Sequence, residues 1–403
     1  MGETMTVCPT CHTAVGDSEL FCEACGAVLT PTVVAAVAKP TEEATQEPAM
    51  PDDLRGTGST CQACGCKVSS DGYCDTCGAR APKLRDHFSE HPAPWVAAVS
   101  DRGIRHTRNE DAVALAADAE PGSRAVLVVC DGVSNSLDSD VASLAAARAA
   151  RAVLASSRSR GMGTETSQVA AVIARIEAAT NAASDAVLEV SQRAKSVAAV
   201  GSSVVGNTTA GSPTVGASTT VGASTTVGAS TTVGASTTTG SPTVGNPASC
   251  TFVAAVVEQN LVVVGSVGDS RAYWLPDSGS ARALTVDDSF AQEQIASGVP
   301  RLEAETGPQS HAITRWLGVD APDHTPTTAS MTITEPGWLM VCSDGLWNYC
   351  SPASDLSVLV ERTASGSPSA AEPLALAGAL VEWAIAQGGQ DNITVALARM
   401  HPN

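Results

Sequence analysis

Val126-Leu-Val-Val-Cys130 runs straight into Asp131-Gly132, and Trp338-Leu-Met-Val-Cys342 runs through Ser343 into Asp344-Gly345. Both apolar runs have the length and composition of buried strands. Each therefore sets a carboxylate where a strand leaves the core, followed by a glycine that lets the backbone turn sharply and approach an ion closely. Taken singly, Asp-Gly is a common turn dipeptide, and a turn is the simpler reading. Two further patches, Asn109-Glu110-Asp111 and Gln390-Asp391-Asn392, also place carboxylates beside predicted strand ends. Magnesium and manganese take oxygen ligands in near-octahedral geometry and keep several waters, so a few carboxylates held at one point by a rigid sheet make a site. Four such patches, far apart in the chain, predict a divalent-metal centre assembled from distant loops.

The remaining periodicity supplies the scaffold. Thr251 to Val257, Leu261-Val-Val-Val264, Ala272-Tyr-Trp274 and Ile393-Thr-Val-Ala-Leu397 add strands. Val141 to Ala155 predicts an Ala-rich helix, and Val169, Val172, Ile173, Ile176, Ala183, Val187 and Val190 form one apolar face at helical spacing. Leu374 to Ala386 predicts a third helix covering a sheet face.

Six motifs in order carry a family resemblance: Asp101-Arg-Gly-Ile-Arg-His-Thr-Arg-Asn-Glu-Asp111, Val128-Val-Cys-Asp-Gly132, Val267-Gly-Asp-Ser-Arg271, Leu284-Thr-Val-Asp-Asp288, Cys342-Ser-Asp-Gly-Leu346 and Gly389-Gln-Asp-Asn-Ile-Thr394. Together they resemble the metal-dependent protein phosphatase 2C (PPM-type) family, bacterial type, over roughly residues 95 to 400. The resemblance implies an α+β fold, a four-layer α-β-β-α sandwich of two antiparallel sheets, with two or three Mn2+ or Mg2+ ions at one end. It implies hydrolysis of phosphoserine and phosphothreonine in phosphorylated proteins by direct attack of a metal-activated water, the cations clamping the attacking and leaving oxygens. Matched position by position, Asp131 is the carboxylate bridging both metals and the carbonyl of Gly132 a ligand of the first. Asp344 and Asp391 match ligands of the second metal, Glu110 and Asp111 match acids that hold metal-bound waters, and Asp269 matches an acid helping to bind a third, weaker ion.

The chain departs from the family in three places. The position that usually carries a phosphate-gripping Arg holds His106, flanked by Arg105 and Arg108. Because a guanidinium fork donates two parallel hydrogen bonds to an oxyanion, either flanking Arg, or a protonated His106, is a candidate for that role. After Asp131-Gly132 the usual Gly-Gly or His is replaced by Val133-Ser134-Asn135. No general acid is then visible beside the metals, and the leaving alkoxide is expected to take its proton from water. In the region where relatives carry a mobile flap, Arg315 and Trp316 read as structural anchors and His311 as a surface residue within reach of substrate.

The amino-terminal fifth is chemically distinct. Cys8-Pro-Thr-Cys11 and Cys22-Glu-Ala-Cys25 are separated by ten residues, and Cys61-Gln-Ala-Cys64 and Cys74-Asp-Thr-Cys77 by nine. Each pair of knuckles at this spacing suits one tetrahedral Zn2+ with four thiolate ligands, closed and therefore structural, with Gly26 or Gly78 turning the chain beneath it. Both resemble zinc ribbons. A disulfide framework needs an oxidising compartment, whereas the chain opens Met-Gly-Glu-Thr-Met, without the basic and apolar segments of a signal peptide. Cys66 is left over, Cys130, Cys250 and Cys342 fall in or beside apolar strands as small core hydrophobes, and Cys350 receives no role.

These readings divide the chain into a zinc ribbon at 1–29, a disordered linker at 30–60, a second ribbon at 61–80, a linker at 81–94 and a phosphatase-like domain at 95–400. The domain carries a low-complexity insertion at 200–247, with four tandem Val-Gly-Ala-Ser-Thr-Thr hexads from Val215 to Thr238. The hexads offer little to bury, so disorder is expected over a β-helix. With 42 acidic against 23 basic residues and a formal charge of -19, the chain repels nucleic acid and anionic membranes. The first ribbon has no Lys or Arg and the second only Lys67 and Arg80, so the ribbons are expected to meet a protein partner or act on the enzyme itself. No apolar run nears the roughly 20 residues that span a bilayer, and the expectation is a cytoplasmic protein. The alternative from another class is a catalytically silent, phosphatase-like binding module acting through its ribbons. Retention of every metal carboxylate argues against it, because crowded acids repel one another once the cation is gone.

Overall fold

The structure is a computed structural model that describes residues 6–7, 14–15, 60–61, 63–69, 71–156, 161, 163–204, 246–366 and 371–402, with backbone alone at 6–7, 14–15 and 195–204. The chain divides into two units, Met1–Leu54 and Arg55–Asn403. In the first, β1 (Thr6–Val7) pairs antiparallel with β2 (Ala14–Val15). The expected ligands Cys8, Cys11, Cys22 and Cys25, the linker at 30–59 and the tandem hexads lie outside the described residues.

Along the second unit run β3 (His87–Ala93), β4 (Val96–Asp101), β5 (Ala112–Ala117), β6 (Arg124–Cys130), α1 (Ser139–Ser156), α2 (Glu165–Val204), β7 (Ser249–Cys250), β8 (Phe252–Glu258), β9 (Leu261–Val267), β10 (Arg271–Pro276), β11 (Arg282–Ala283), α3 (Phe290–Ala296), α4 (Arg301–Thr306), β12 (Leu317–Gly318), β13 (Thr327–Thr332), β14 (Gly337–Cys342), α5 (Asp344–Trp347), α6 (Ala353–Ala364), α7 (Pro373–Gln387) and β15 (Ile393–Met400). One sheet has the order β11-β10-β14-β15-β4-β3, the other β13-β9-β8-β6-β5, and every pairing in both is antiparallel.

Alternation of side chains across a strand builds the layers. In β6, Ala125, Leu127 and Val129 face β4, β10, β14 and β15 in the core between the sheets, while Val126, Val128 and Cys130 face α1 and α2. Both faces are buried, which is why the run is apolar at every position. The predicted helix face holds: Val172, Ile176, Ala183 and Val187 of α2 are buried against the five-stranded sheet beside Ala142, Ala146 and Ala150 of α1. On the far side, Leu376, Leu380, Val381 and Ala384 of α7 and Leu356 and Val360 of α6 cover the six-stranded sheet. The result is the expected α+β sandwich of helices, sheet, sheet and helices.

One boundary differs from the sequence reading. Residues 81–94, expected as a linker, include a 3-10 turn at Leu84–Asp86 and then β3, the edge strand hydrogen-bonded to β4. His87-Phe-Ser-Glu-His-Pro-Ala93 lacks an apolar pattern because an edge strand is half solvated, and an edge tolerates Pro92. The sandwich thus begins about ten residues before Trp95, close behind the Cys61–Cys77 segment. Among the described residues no helix is long and apolar enough to cross a membrane.

Candidate metal centre

Register brings the acids together. The β5–β6 ladder opens with Ala112 opposite Cys130, so Asp111 and Asp131 leave the same end of the five-stranded sheet side by side. In the other sheet Arg271 pairs with Cys342 and Cys342 with Val395, which puts Asp269, Asp344 and Asp391 at one end as well. Cross-sheet bonds close the gap: Ser343 Oγ donates to Asp111 Oδ2 (2.6 Å), Thr394 Oγ1 donates to the same oxygen (2.8 Å), and Glu110 N donates to Asn392 Oδ1 (2.7 Å). Asp131 is fixed through its backbone, its N–H donating to Thr251 Oγ1 (3.0 Å) and its carbonyl accepting from Thr251 N (2.7 Å). Neither of these bonds uses its carboxylate.

Asp111, Asp269 and Asp344 are buried and Asp131 half-buried, so their charges are felt strongly. Burial, reinforced by Asp111, Asp344, Asp391 and Asp269, drives the Asp131 carboxyl well above the ordinary range. Burial and then Asp391, Asp269 and Asp111 do the same to Asp344. Burial lifts Asp111 to about 6 against the hydroxyl bonds from Ser343 and Thr394, and burial with Asp287 lifts Asp269 to about 7. Acids that raise one another in this way share one small volume.

Two of their oxygens, Asp111 Oδ1 and Asp344 Oδ1, are buried without a hydrogen-bond partner, although the second oxygen of each is bonded. Unpaired buried carboxylate oxygens converging from two sheets have the hard-oxygen chemistry that Mn2+ or Mg2+ takes. The residues present therefore fit a divalent-cation centre.

Glu110 is of another kind. Burial works against its charge, but His106, Ser139 and Arg108 hold it down at about 2. His106 spans the rim, Nδ1 at 3.3 Å from Glu110 Oε2 and Nε2 at 3.2 Å from Asp391 Oδ1. The bond to Glu110, opposed by burial and helped by Asp391, raises its pKa. Of the three residues considered for gripping phosphate, His106 bridges two acids, Arg108 is bonded to Glu110 and Ser139, and Arg105 is exposed. Arg315 does anchor its segment, reaching Asp288 (3.1 Å) and Asp323 (2.8 Å). A cleft of about 370 Å3 lined by Glu305, His311, Asp344, Trp347, Tyr349 and Asp391 opens beside the acids.

Asn392, the last residue of the Gln390-Asp391-Asn392 patch, organises the rim, a role that its motif does not disclose: its side-chain amide donates to the carbonyls of Arg102 (2.8 Å) and Arg108 (3.1 Å). Only its adjacency to Asp391 could have signalled this. Gly103 completes the packing at φ +70°, where a Cβ would strike the carbonyls of Asp391 and Gly389. Gly103→Ala is expected to cost at least about 1 kcal/mol and to weaken cation binding by shifting Asp391. Thermal melts with and without Mn2+ measure both.

In the segment expected as the second ribbon, the Sγ atoms of Cys61, Cys64, Cys74 and Cys77 all lie within 4.8 Å of one another. Cys61 and Cys77 are 3.6 Å apart and Cys64 and Cys74 3.4 Å, too long for a disulfide of about 2.05 Å. Four thiolates at ~2.3 Å around a tetrahedral ion would sit ~3.8 Å apart. Amides of Cys77 and Thr76 aimed at Cys74 pull that thiol down to about 6, while contacts with neighbouring thiols push Cys64 and Cys77 up, so without a metal the negative charge gathers on Cys74. Gly65 and Gly78, at φ +72° and +71°, turn the two knuckles. Cys66 stands outside the quartet, its Sγ directed at the Cys64 carbonyl.

No family model matches the chain. It is 31% identical over 153 residues to the serine/threonine phosphatase stp of Listeria welshimeri, 38% of this chain and 57% of that protein. It is 34% identical over 149 residues to the serine/threonine protein phosphatase PstP of Mycobacterium tuberculosis, 37% of this chain and 27% of that one. The chain thus spans little more than half the length of the Listeria relative. Among solved structures, serine/threonine phosphatase Stp1 from Staphylococcus aureus superposes with a TM-score of 0.53 at 18% identity over 76% of this chain and 94% of that one. The S. agalactiae serine/threonine phosphatase gives 0.51 at 19% identity over 78% and 100%. Over the stretches matched the chain is thus similar in sequence to bacterial serine/threonine phosphatases, and it shares the fold of the solved ones.

Proposed function

We propose that the chain is a Mn2+- or Mg2+-dependent protein-serine/threonine phosphatase acting on phosphorylated proteins, with structural Zn2+ in two amino-terminal ribbons. The observation that carries the reading is the convergence of Asp131, Asp111, Asp344, Asp269 and Asp391 from two sheets, with unbonded buried oxygens on Asp111 and Asp344. Bound cations would supply a lowered water pKa and charge neutralisation at phosphorus.

The chain's own residues supply the rest. Asp131, Asp344 and Asp391, with the Gly132 carbonyl and Asp269, would hold the cations. Asp111 and Glu110 would orient solvent beside them, Asp111 through its free Oδ1 and Glu110 within its cage of His106, Arg108 and Ser139. His106, on the rim between Glu110 and Asp391, presents a raised-pKa imidazole where the phosphate dianion would arrive. Arg105, exposed on the same loop, is the second candidate for that contact. No side chain beside Asp131 offers an obvious proton to the departing alkoxide: Val133-Ser-Asn135 follow Gly132, leaving solvent as the donor.

A phosphothreonine peptide and a small aryl phosphate are both expected to turn over with Mn2+ and to stop on addition of a chelator. Absence of turnover by the full chain in saturating Mn2+ and Mg2+ would favour the silent binding module, the reading that the engaged state of His106 and Arg108 supports. The ribbons are assigned to protein contact or autoregulation, the cell compartment to the cytoplasm, and nucleic acid and membranes are left out as partners.

A further inference from the structure

The second ribbon's last basic residue points at the active-site rim. Arg80 closes the ribbon through a β-bridge to Tyr73, beside the bonds Cys74 N to Ala79 O (2.8 Å) and Ala81 N to Gly72 O (2.7 Å). Its Nη1 donates to the carbonyl of Thr107, and its Nη2 lies 3.7 Å from Asp86 Oδ1. Thr107 sits between His106 and Arg108, inside the loop that faces incoming phosphate.

Asp86 makes this contact part of a chain. It is buried, its Oδ2 accepts from Lys83 N (2.9 Å), and its Oδ1 has no hydrogen-bond partner and is reached by two guanidinium groups, Arg80 at 3.7 Å and Arg102 at 3.9 Å. Its carbonyl accepts from Arg102 N (2.8 Å), and Arg102 Nη1 donates to the His106 carbonyl (2.7 Å). From the opposite side Asn392, next to Asp391, holds the Arg102 and Arg108 carbonyls. The loop 102–108 is thus suspended between the metal-centre acids and the ribbon. On the ribbon side the anchorage is only as firm as the ribbon, whose buried apolar cluster is Cys61, Val68 and Cys74. So small a core folds on its metal rather than on its own burial.

We propose that Arg80 is a positioning residue for the loop 102–108, so that the zinc state of the second ribbon sets how His106 and its neighbours meet a phosphorylated substrate. Only the kinetic part of the proposal rests on the phosphatase reading. With the ribbon closed, Arg80 holds the Thr107 carbonyl and shares Asp86 with Arg102. With the ribbon open, Asp86 keeps Arg102 alone and the carbonyl is released.

The test uses the full chain in Mn2+. Arg80→Ala is expected to raise the KM for a phosphothreonine peptide about fivefold, the scale of one charge-assisted hydrogen bond acting at second hand, with kcat and zinc content unchanged. Cys74→Ser with Cys77→Ser is expected to lose one equivalent of zinc and give the same KM, and combining it with Arg80→Ala to add nothing further. Hydrogen exchange of the 102–108 amides should accelerate equally in all three. Unchanged exchange in Arg80→Ala, or an unchanged KM with turnover intact, overturns the proposal, as does an additive triple variant. If the wild-type chain shows no turnover, the phosphatase reading fails and the exchange comparison alone decides the coupling.

Discussion

Asp131→Ala is expected to abolish phosphopeptide hydrolysis, by at least about a thousandfold, without unfolding the protein. The segment's backbone ties to Thr251 do not use the Asp131 side chain, so the loop keeps its anchor. Removing the carboxylate also removes one member of a mutually repelling set, Asp111, Asp344, Asp391 and Asp269 being the others. Metal-free Asp131→Ala should therefore melt no lower than metal-free wild type and should fail to gain stability on addition of Mn2+. Calorimetry with and without the cation reads both signs in one experiment. A variant that keeps activity, or that still gains stability from Mn2+, would remove Asp131 from the metal centre.

The second large effect is on the metal-free protein as pH changes. Asp111 and Asp269 titrate at about 6 and about 7 in the fold against an ordinary 3.8, and Asp131 and Asp344 are raised further. A raised carboxyl binds its proton more tightly folded than unfolded, so its contribution is fully present below pH 3.8 and lost as pH rises through the folded value. His106, also raised, works in the same direction. Glu110, lowered to about 2, acts only at more acid pH. Stability of the metal-free chain is expected to fall between roughly pH 4 and pH 7. A divalent cation at a hundredfold over its Kd should restore about 2.7 kcal/mol at neutral pH. Thermal melts across that range, with chelator and with Mn2+, give the two curves. A metal-free protein that gains stability from pH 5 to pH 7 would contradict a shared volume for these acids.

What could be read from the chain follows from where burial is two-sided. β6 and β14 are covered on both faces, so Ala125–Cys130 and Trp338–Cys342 are unbroken apolar runs, and Asp131 and Asp344 beyond their ends stood out against them. β3 and β13 were missed because edge strands face water: Thr327-Thr-Ala-Ser-Met-Thr332 carries no apolar stripe, yet it pairs along its whole length with β9. α3 and α4 are too short for a helical period and depend on local caps such as Ser289, whose side chain accepts from Gln292 N. The acids of the site were legible by type and position. The roles of Asn392 and Arg80 were not, since both work on backbone carbonyls, and a carbonyl leaves no trace in a sequence.

At residues 246–249 the chain is received by main-chain bonds, Leu137 N to Asn246 O (2.9 Å), a parallel bridge to Ser136 and Val133 N to Ser249 O (3.0 Å), and by Ser191 Oγ, which donates to the Ala248 carbonyl (3.4 Å). Nothing in that seam reads how many copies of Val-Gly-Ala-Ser-Thr-Thr came before it. For a tract that the sequence leads one to expect as disordered, doubling the length adds only about 0.6 kcal/mol of closure entropy, so adding or deleting whole units is expected to leave the seam beside Asp131 in register. Variants carrying two or six copies are therefore expected to keep the melting temperature and Mn2+ response of the parent chain, which a thermal melt reads.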